Sequence, residues 1–160
     1  MDEEVRALAE AARVEASRNQ TAKAAAQILL RANCGYALPT MSQKRLLLVE
    51  FAKRNLVVYG KAFDIVKLRE PVDLDDAFDV SRKIEKITLC EIKSSRRKLP
   101  EDFRGYFFAL TAAELLVAQS LKNRFKFVLV NTVTRAHIEL TLPELFGRAR
   151  GVYPTWSIMF

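Results

Sequence analysis

The sequence predicts an α/β fold, and three observations support this prediction. Half of the 160 residues are hydrophobic, which is enough for one domain with a real core. Apolar residues recur at helical spacing in segments such as 43–54 and 111–121. Short apolar runs with alternating faces, above all 87–95 and 125–132, predict strands between those helices.

The N-terminal part is rich in alanine and predicts two helices. The first covers residues 2–17, and the second begins after Asn19 or Thr21 as its cap and ends at Ala32, with Gly35 as the stop after it. We expect residues 1–36 to form a helical appendage and residues 37–160 to form the main compact domain.

The main domain is predicted to begin with a helix, followed by a hairpin around Gly60 and Lys61. Residues 72–83 are acidic at first and are interpreted as an insertion after that hairpin. The apolar tail, 153–160, is expected on the core, as an edge strand or at a subunit interface. The predicted helices and strands of this domain are, in order, 43–54, 56–59, 62–68, 87–95, 111–121, 125–132 and 135–142.

Three of these predictions concern particular side chains. Thr111 and Glu114 have the capping-box spacing, so Glu114 is interpreted as a helix cap. The buried side of that helix is predicted to consist of Leu115, Leu116, Ala118 and Leu121. In the last strand, the residues predicted to face out are His137, Glu139 and Thr141.

Strand 87–95 contains two charged residues in an apolar setting. Side chains alternate along a strand, so Glu91 and Lys93 share one face with Ile87 and Leu89. Burying charge is costly unless it is paired or binds a metal. Two interpretations follow: an ordinary ion pair at a strand end, or a functional site.

Asp64 in one strand and the triplet Glu91-x-Lys93 in the next core strand resemble the PD-(D/E)xK nuclease superfamily. The resemblance covers about residues 42–141, and Phe63 stands where the family name has proline. Residues 108–114 and 127–130 look like a subgroup found in restriction and defence proteins. The resemblance implies a restriction-endonuclease-like mixed sheet flanked by helices, and a Mg²⁺-dependent endonuclease in which Mn²⁺ is a substitute.

The same resemblance implies roles for particular residues. Asp64, Glu91 and the backbone carbonyl of Ile92 would hold the metal ion. Lys93 would orient or deprotonate the attacking water and contact the phosphate. Superfamily folds often place a helical acid near the metal, and Glu50 is the matching residue, with a salt bridge to a neighbouring lysine or arginine as the alternative.

Other candidates for a metal site are few. Asp79 in the acidic insertion is the alternative to Asp64, which we favour because a strand holds a ligand more rigidly than a loop. The single histidine, His137, excludes a histidine-rich zinc site within one chain. Cys34 and Cys90 have no metal-ligand spacing.

The net charge of +7 favours a polyanionic partner. Ser94, Ser95, Arg96, Arg97 and Lys98 directly follow the charged strand and are predicted to contact phosphates. We expect nucleic acid as the partner, double-stranded DNA above all, with a homodimer or a partner subunit left open. The N-terminal helices are expected to pack on the main domain, with dimerisation or DNA contact as alternatives. A non-catalytic nucleic-acid-binding or assembly subunit on the same fold is the alternative to the enzyme.

Membrane insertion is not expected for this chain. Apolar runs such as 46–49 are far too short to span a bilayer. The acidic N-terminus lacks the basic start and apolar stretch of a secretion signal. We therefore expect a cytoplasmic protein without a membrane partner.

Overall fold

The computed structural model describes residues 3–153, which form a five-stranded mixed sheet flanked by helices. The elements are α1 (Glu3–Arg31), β1 (Tyr36–Ala37), α2 (Met41–Ala52), β2 (Ile65–Leu68), α3 (Ala77–Arg82), β3 (Ile87–Ser95), α4 (Ala112–Leu121), β4 (Phe125–Asn131), β5 (His137–Leu140) and α5 (Leu142–Arg148). Strands lie side by side in sequence order; β3 and β4 are parallel, and the other neighbours antiparallel. The predicted α/β class is confirmed. The apolar tail after Tyr153 lies outside the described residues.

The two faces of the sheet pack against different helices. On one face, Phe127 of β4 shares a buried cluster with Leu47 of α2 and Val117 of α4. On the opposite face, Leu29 of α1 is fully buried in a cluster that includes Cys90 of β3. Cover on both faces explains why β4 and the first half of β3 are mostly apolar, as parallel strands usually are.

One continuous helix, α1, replaces the two helices predicted for the N-terminal part. The hydroxyl of Thr21, expected near the start of a second helix, donates to the carbonyl of Ser17 at 2.9 Å, so the helix continues through it. Residues 5–16 are exposed, whereas the last turns pack on the sheet. In the part of the chain that is described, neither α1 nor any other helix is long and apolar enough to cross a membrane.

The turn after α1 depends on a glycine. Gly35 has a φ of +83°, and a Cβ at this position would collide with the carbonyl oxygen of Leu68. The close approach allows the N–H of Leu68 to donate to the carbonyl of Gly35 at 2.8 Å. Gly35 therefore brings β1 against β2.

The predicted hairpin over residues 56–68 is wrong. Residues 56–59 form no strand, and Gly60–Ala62 is a single turn of 3₁₀ helix. The backbone N–H of Val57 donates to the hydroxyl of Ser120 in α4 at 2.7 Å, so this segment lies against a helix. The edge of β2 that the hairpin would occupy is taken by β1.

Helix α4 begins where the sequence predicted, at a capping box. The N–H of Glu114 donates to the hydroxyl of Thr111 at 3.2 Å, and the N–H of Thr111 donates to the Glu114 carboxylate at 3.0 Å. Val117 and Leu121 are buried, but Leu116, predicted on the inward side, is exposed.

A half-buried ion cluster lies on the α1 side of the sheet. Glu139 accepts hydrogen bonds from Tyr36 and Lys67, and Lys126 lies 3.4 Å from its second oxygen. The sequence predicted that Glu139 faces out, and the structure gives it three partners. Burial raises the pKa of Glu139, but the hydrogen bonds from Lys67 and Tyr36 outweigh it, so the pKa lies below its usual value.

The Glu139→Gln variant should be less stable than wild type by about 1 kcal/mol at neutral pH, because the pair is partly solvated. The pKa of Glu139 is lower in the folded state, so its contribution is present above the unfolded pKa of about 4.3 and is lost as the pH falls through the folded pKa. Urea titrations between about pH 3 and pH 8 should therefore converge at the acid end. Glu101→Gln, in an exposed loop, is the control. A stability difference that is independent of pH would contradict this account.

Candidate functional site

Charged side chains from three parts of the chain meet near the C-terminal half of β3. Asp64 was predicted inside a strand, but β2 begins one residue later, at Ile65. The N–H of Asp64 donates to the carbonyl of Cys90 at 2.9 Å, which continues the antiparallel pairing of β2 with β3. Asp64 Oδ2 accepts from the N–H of Ile92 at 3.0 Å. These two bonds fix the carboxylate of Asp64 beside the strand that bears Glu91.

Lys93 links the two glutamates of the site. Its Nζ donates to both carboxylate oxygens of Glu114 at 2.9 Å and to Oε1 of Glu91 at 3.2 Å. Glu91 is only 7% exposed and Glu114 only 4%. Glu91 and Lys93 therefore form an ion pair, but a buried one, and a second acid, Glu114, completes the network.

One oxygen of Glu91 lacks compensation. Glu91 Oε2 is buried and has no hydrogen-bond partner among the described residues. Burial raises the pKa of Glu91 to about 9, the Asp64 carboxylate adds to this, and Lys93 opposes it. An unsatisfied buried carboxyl oxygen is unfavourable, and a bound cation or water would relieve it.

The carboxyl oxygens of Asp64 and Glu91 fit a metal site that uses few protein ligands better than one built from protein side chains alone. Within residues 3–153, no three side chains of His, Cys, Asp or Glu are arranged as a complete metal site. Mg²⁺ commonly takes only one or two carboxylates from the protein and fills its other positions with water and phosphate oxygens. Asp64 and Glu91, with the unsatisfied Oε2, fit this pattern. The carbonyl of Ile92 stays a predicted ligand.

Glu50 has basic partners of its own, although its Oε2, like that of Glu91, is buried and accepts no hydrogen bond among the described residues. It is almost fully buried on α2, where Oε1 lies 2.6 Å from Lys53 Nζ and Oε2 lies 3.6 Å from Arg54. Arg54 also donates to the carbonyl of Ser81, which joins α2 to the end of α3. These contacts correspond to the salt-bridge alternative, and they stabilise the junction of two helices.

Asp79 is bound within the acidic segment. It lies in α3, not in a loop, and accepts from the N–H of Asp73 at 2.9 Å. Arg82 and Lys83 each approach its carboxylate to 3.0 Å. The bond from Asp73 and those from both basic residues lower the pKa of Asp79 to about 2. The contacts of Asp79 therefore hold the acidic segment together, whereas Asp64 is the aspartate that lies beside the strand of Glu91.

The basic loop after β3 is exposed but partly tied to α1. Arg96 donates through Nε to the hydroxyl of Thr21 at 2.6 Å and through a terminal nitrogen to the carbonyl of Ser17 at 3.1 Å. Arg97 and Lys98 project from the same loop into solvent. Of the three basic residues predicted to contact phosphates, Arg97 and Lys98 are exposed to solvent, whereas Arg96 is held against α1 by hydrogen bonds.

The two serines before this loop support its backbone. The carbonyl of Ser94 accepts from Tyr106 Oη at 2.6 Å. Ser95 is buried, and its hydroxyl accepts from the N–H of Arg97 at 3.1 Å. Their predicted phosphate contacts stay predictions, and their observed contacts shape the loop beside Lys93.

Sequence reasoning missed the second role of Glu114, which it assigned to the helix cap alone. A parallel strand pair needs a crossover connection, and here α4 forms part of the crossover from β3 to β4. That topology brings the start of α4 towards the C-terminal end of β3. The signal available in the sequence was a strand–helix–strand order with an acid in the first turn of the helix.

The assembled site has three carboxyl groups, one ammonium and an adjoining basic loop. The carboxyl groups of Asp64 and Glu91 can bind a divalent cation, and Lys93 can donate charge-assisted hydrogen bonds to a phosphate. This combination suits a ligand that has both negative charge and oxygen donors. No family model, no curated protein and no solved structure matches this chain.

Proposed function

We propose that this chain is a Mg²⁺-dependent nuclease with a restriction-endonuclease-like fold that hydrolyses phosphodiester bonds in DNA. The meeting of Asp64, Glu91 and Lys93 beside paired strands supports this function, and the unsatisfied buried oxygen of Glu91 is the observation that carries it. The antiparallel β2–β3 pair and the parallel β3–β4 pair across α4 support the fold.

Each residue of the site has a distinct task in this proposal. Asp64 and Glu91 hold Mg²⁺, for which Mn²⁺ can substitute. A divalent cation, when bound, lowers the pKa of water and offsets negative charge on a phosphate. Lys93 gives up one of its three hydrogen bonds to the glutamates and donates it to the phosphate or to the attacking water, while its remaining bonds position the ammonium.

A second function is favoured by the closed pairing of Lys93 with two glutamates. If the ammonium of Lys93 only neutralises the buried acids Glu91 and Glu114, it stabilises the fold and takes no part in cleavage. The chain would then be a nucleic-acid-binding or assembly subunit. The exposed cations Arg97 and Lys98 suit either function.

Incubation with supercoiled plasmid, single-stranded DNA and RNA, in Mg²⁺, Mn²⁺ or EDTA, tests the nuclease directly. We expect cleavage that EDTA stops and that Glu91→Gln reduces by at least about 10²-fold, because that change removes a metal-binding charge. Glu101→Gln, prepared in the same way, should cleave like wild type, since residue 101 is exposed in a loop.

The same assay can reject the proposal. Equal cleavage by Glu91→Gln and wild type would assign the activity to a contaminant. Nucleic-acid binding without cleavage under every metal condition would favour the assembly subunit.

A further inference from the structure

An exposed phenyl ring lies in the segment that connects the basic loop to α4. Phe107 is 78% exposed, although large apolar side chains are usually removed from water. Its neighbours Tyr106 and Phe108 pack on the cluster of Phe103, Leu129 and Leu140. Burial thus alternates along this segment, which has no regular secondary structure, and Phe107 is the ring exposed to solvent.

This segment is fixed close to Lys93 at both ends. On one side, Tyr106 donates to the carbonyl of Ser94, the residue after Lys93, at 2.6 Å. On the other side, Thr111 and Glu114 form the cap of α4, and Glu114 binds Lys93. The backbone of Phe107 therefore lies in a segment that is held at Ser94 of β3 on one side and at the cap of α4 on the other.

The surroundings of Phe107 favour an anionic ligand. Arg97, Lys98 and Arg104 are exposed in the loop that precedes it. Two acids, Glu101 and Asp102, also lie in that loop, and Arg104 is 3.9 Å from Asp102. The cations outnumber the acids by three to two and precede an exposed aromatic ring in the same stretch of chain, and cations with aromatic rings are the combination used for single-stranded nucleic acid.

We propose that Phe107 is a stacking platform for an unpaired base, and that the ligand of this site is a single-stranded segment of nucleic acid. The inference rests on the proposed function and narrows its substrate class. Within a duplex, both faces of each internal base are covered by neighbouring bases, so a ring on the protein surface can stack without the cost of unstacking base pairs only on an unpaired or terminal base. The cations of the loop bind the phosphates on either side, and Phe107 adds affinity that does not depend on sequence.

Phe78 provides a matched control for exposure. It is 74% exposed, but it lies at the start of α3, where Asp75, Asp76 and Asp79 surround it in sequence. Acidic neighbours repel phosphates. Phe78 is therefore about as exposed as Phe107 but adjoins acidic residues in the sequence.

Fluorescence anisotropy in EDTA tests the proposal without any cleavage. The probes are a fluorescein-labelled single-stranded oligothymidylate, an abasic oligonucleotide of equal length, and a fully paired hairpin with the same number of phosphates. Wild type should bind the oligothymidylate most tightly. Phe107→Ala should weaken that binding by roughly 5- to 150-fold, the range of one lost base stack, and should leave binding to the abasic probe unchanged.

Further variants separate stacking from charge. Phe107→Trp should keep the affinity, and Phe78→Ala should bind like wild type. The dependence of affinity on salt should be the same for Phe107→Ala and wild type, because the phosphate contacts remain. A circular dichroism melt equal to that of wild type would show that Phe107→Ala is folded, as expected for an exposed side chain.

Three results would overturn the inference: equal affinity of Phe107→Ala and wild type for the oligothymidylate, an equal loss on the abasic probe, or tighter binding of the hairpin than of the single strand. Each of these could coexist with Mg²⁺-dependent cleavage of a duplex, which would leave the nuclease intact. Conversely, base stacking in EDTA by a protein that never cleaves would support the platform and reject the nuclease.

Discussion

Replacing Asp64 by asparagine should reduce Mg²⁺-dependent cleavage by about 10³-fold or more, because a bound metal contributes several kcal/mol to the transition state. Asparagine keeps an oxygen that can accept the N–H of Ile92, so the junction of β2 and β3 should survive. The loss should therefore come from the missing charge. Cleavage rates measure the loss of catalysis, and the rise of melting temperature with Mg²⁺ measures the loss of metal binding.

Asp79→Asn is the matched control for that experiment. Asp79 is paired with Arg82 and Lys83 and accepts from Asp73, so its loss should lower stability and spare cleavage. Inactive Asp79→Asn together with active Asp64→Asn would show that the metal site lies in the acidic segment.

Replacing Lys93 by methionine should have the largest combined effect on activity and stability. The side chain keeps most of its apolar stem but leaves Glu91 and Glu114 without their shared cation. Cleavage should fall by at least about 10²-fold. In EDTA, the free energy of unfolding should fall by roughly 3–5 kcal/mol where both buried acids are ionised, and by less below a pH of about 9, where the raised pKa of Glu91 leaves that acid protonated. Mg²⁺ should restore part of that stability if it binds at Glu91.

Lys98→Met serves as the control, since Lys98 is exposed in the adjoining loop. It should melt like wild type and lose only the affinity of one phosphate contact. If wild type does not cleave, and Lys93→Met only melts earlier with no recovery in Mg²⁺, then Lys93 is a structural counter-ion.

Local chemistry explains the parts of the fold that the sequence predicted well. The capping box of Thr111 and Glu114 depends on residues three apart, and strands 87–95 and 125–131 depend on apolar runs. The hairpin prediction failed because β2 pairs with a strand of only two residues, Tyr36–Ala37, which has no periodicity to detect. The prediction of two helices in place of α1 was wrong because polar residues near the middle of α1 continue the helix instead of capping a new one.

The sequence predicted only the part of the site that lies on a single strand, which is the pair Glu91 and Lys93 on β3. Alternation along β3 predicted that Glu91 and Lys93 share a face, and their contact at 3.2 Å follows from it. The choice between Asp64 and Asp79, and the partners of Glu50, depend on which elements pack together. The sequence pattern does not encode those distances, so the salt bridges of Glu50 and the approach of Glu114 to Lys93 required the structure.

The double use of Glu114 has an energetic consequence for how Lys93 could be released. The carboxylate of Glu114 lies at the N-terminus of α4, where the helix dipole stabilises negative charge even without a lysine. Glu91, in the middle of a sheet, has no such helix end to replace the ammonium. An anion that draws Lys93 away from Glu114 would therefore leave that carboxylate partly stabilised by the helix end and by the N–H of Thr111. The first turn of α4 thus supplies part of the positive charge that Glu114 otherwise receives from Lys93.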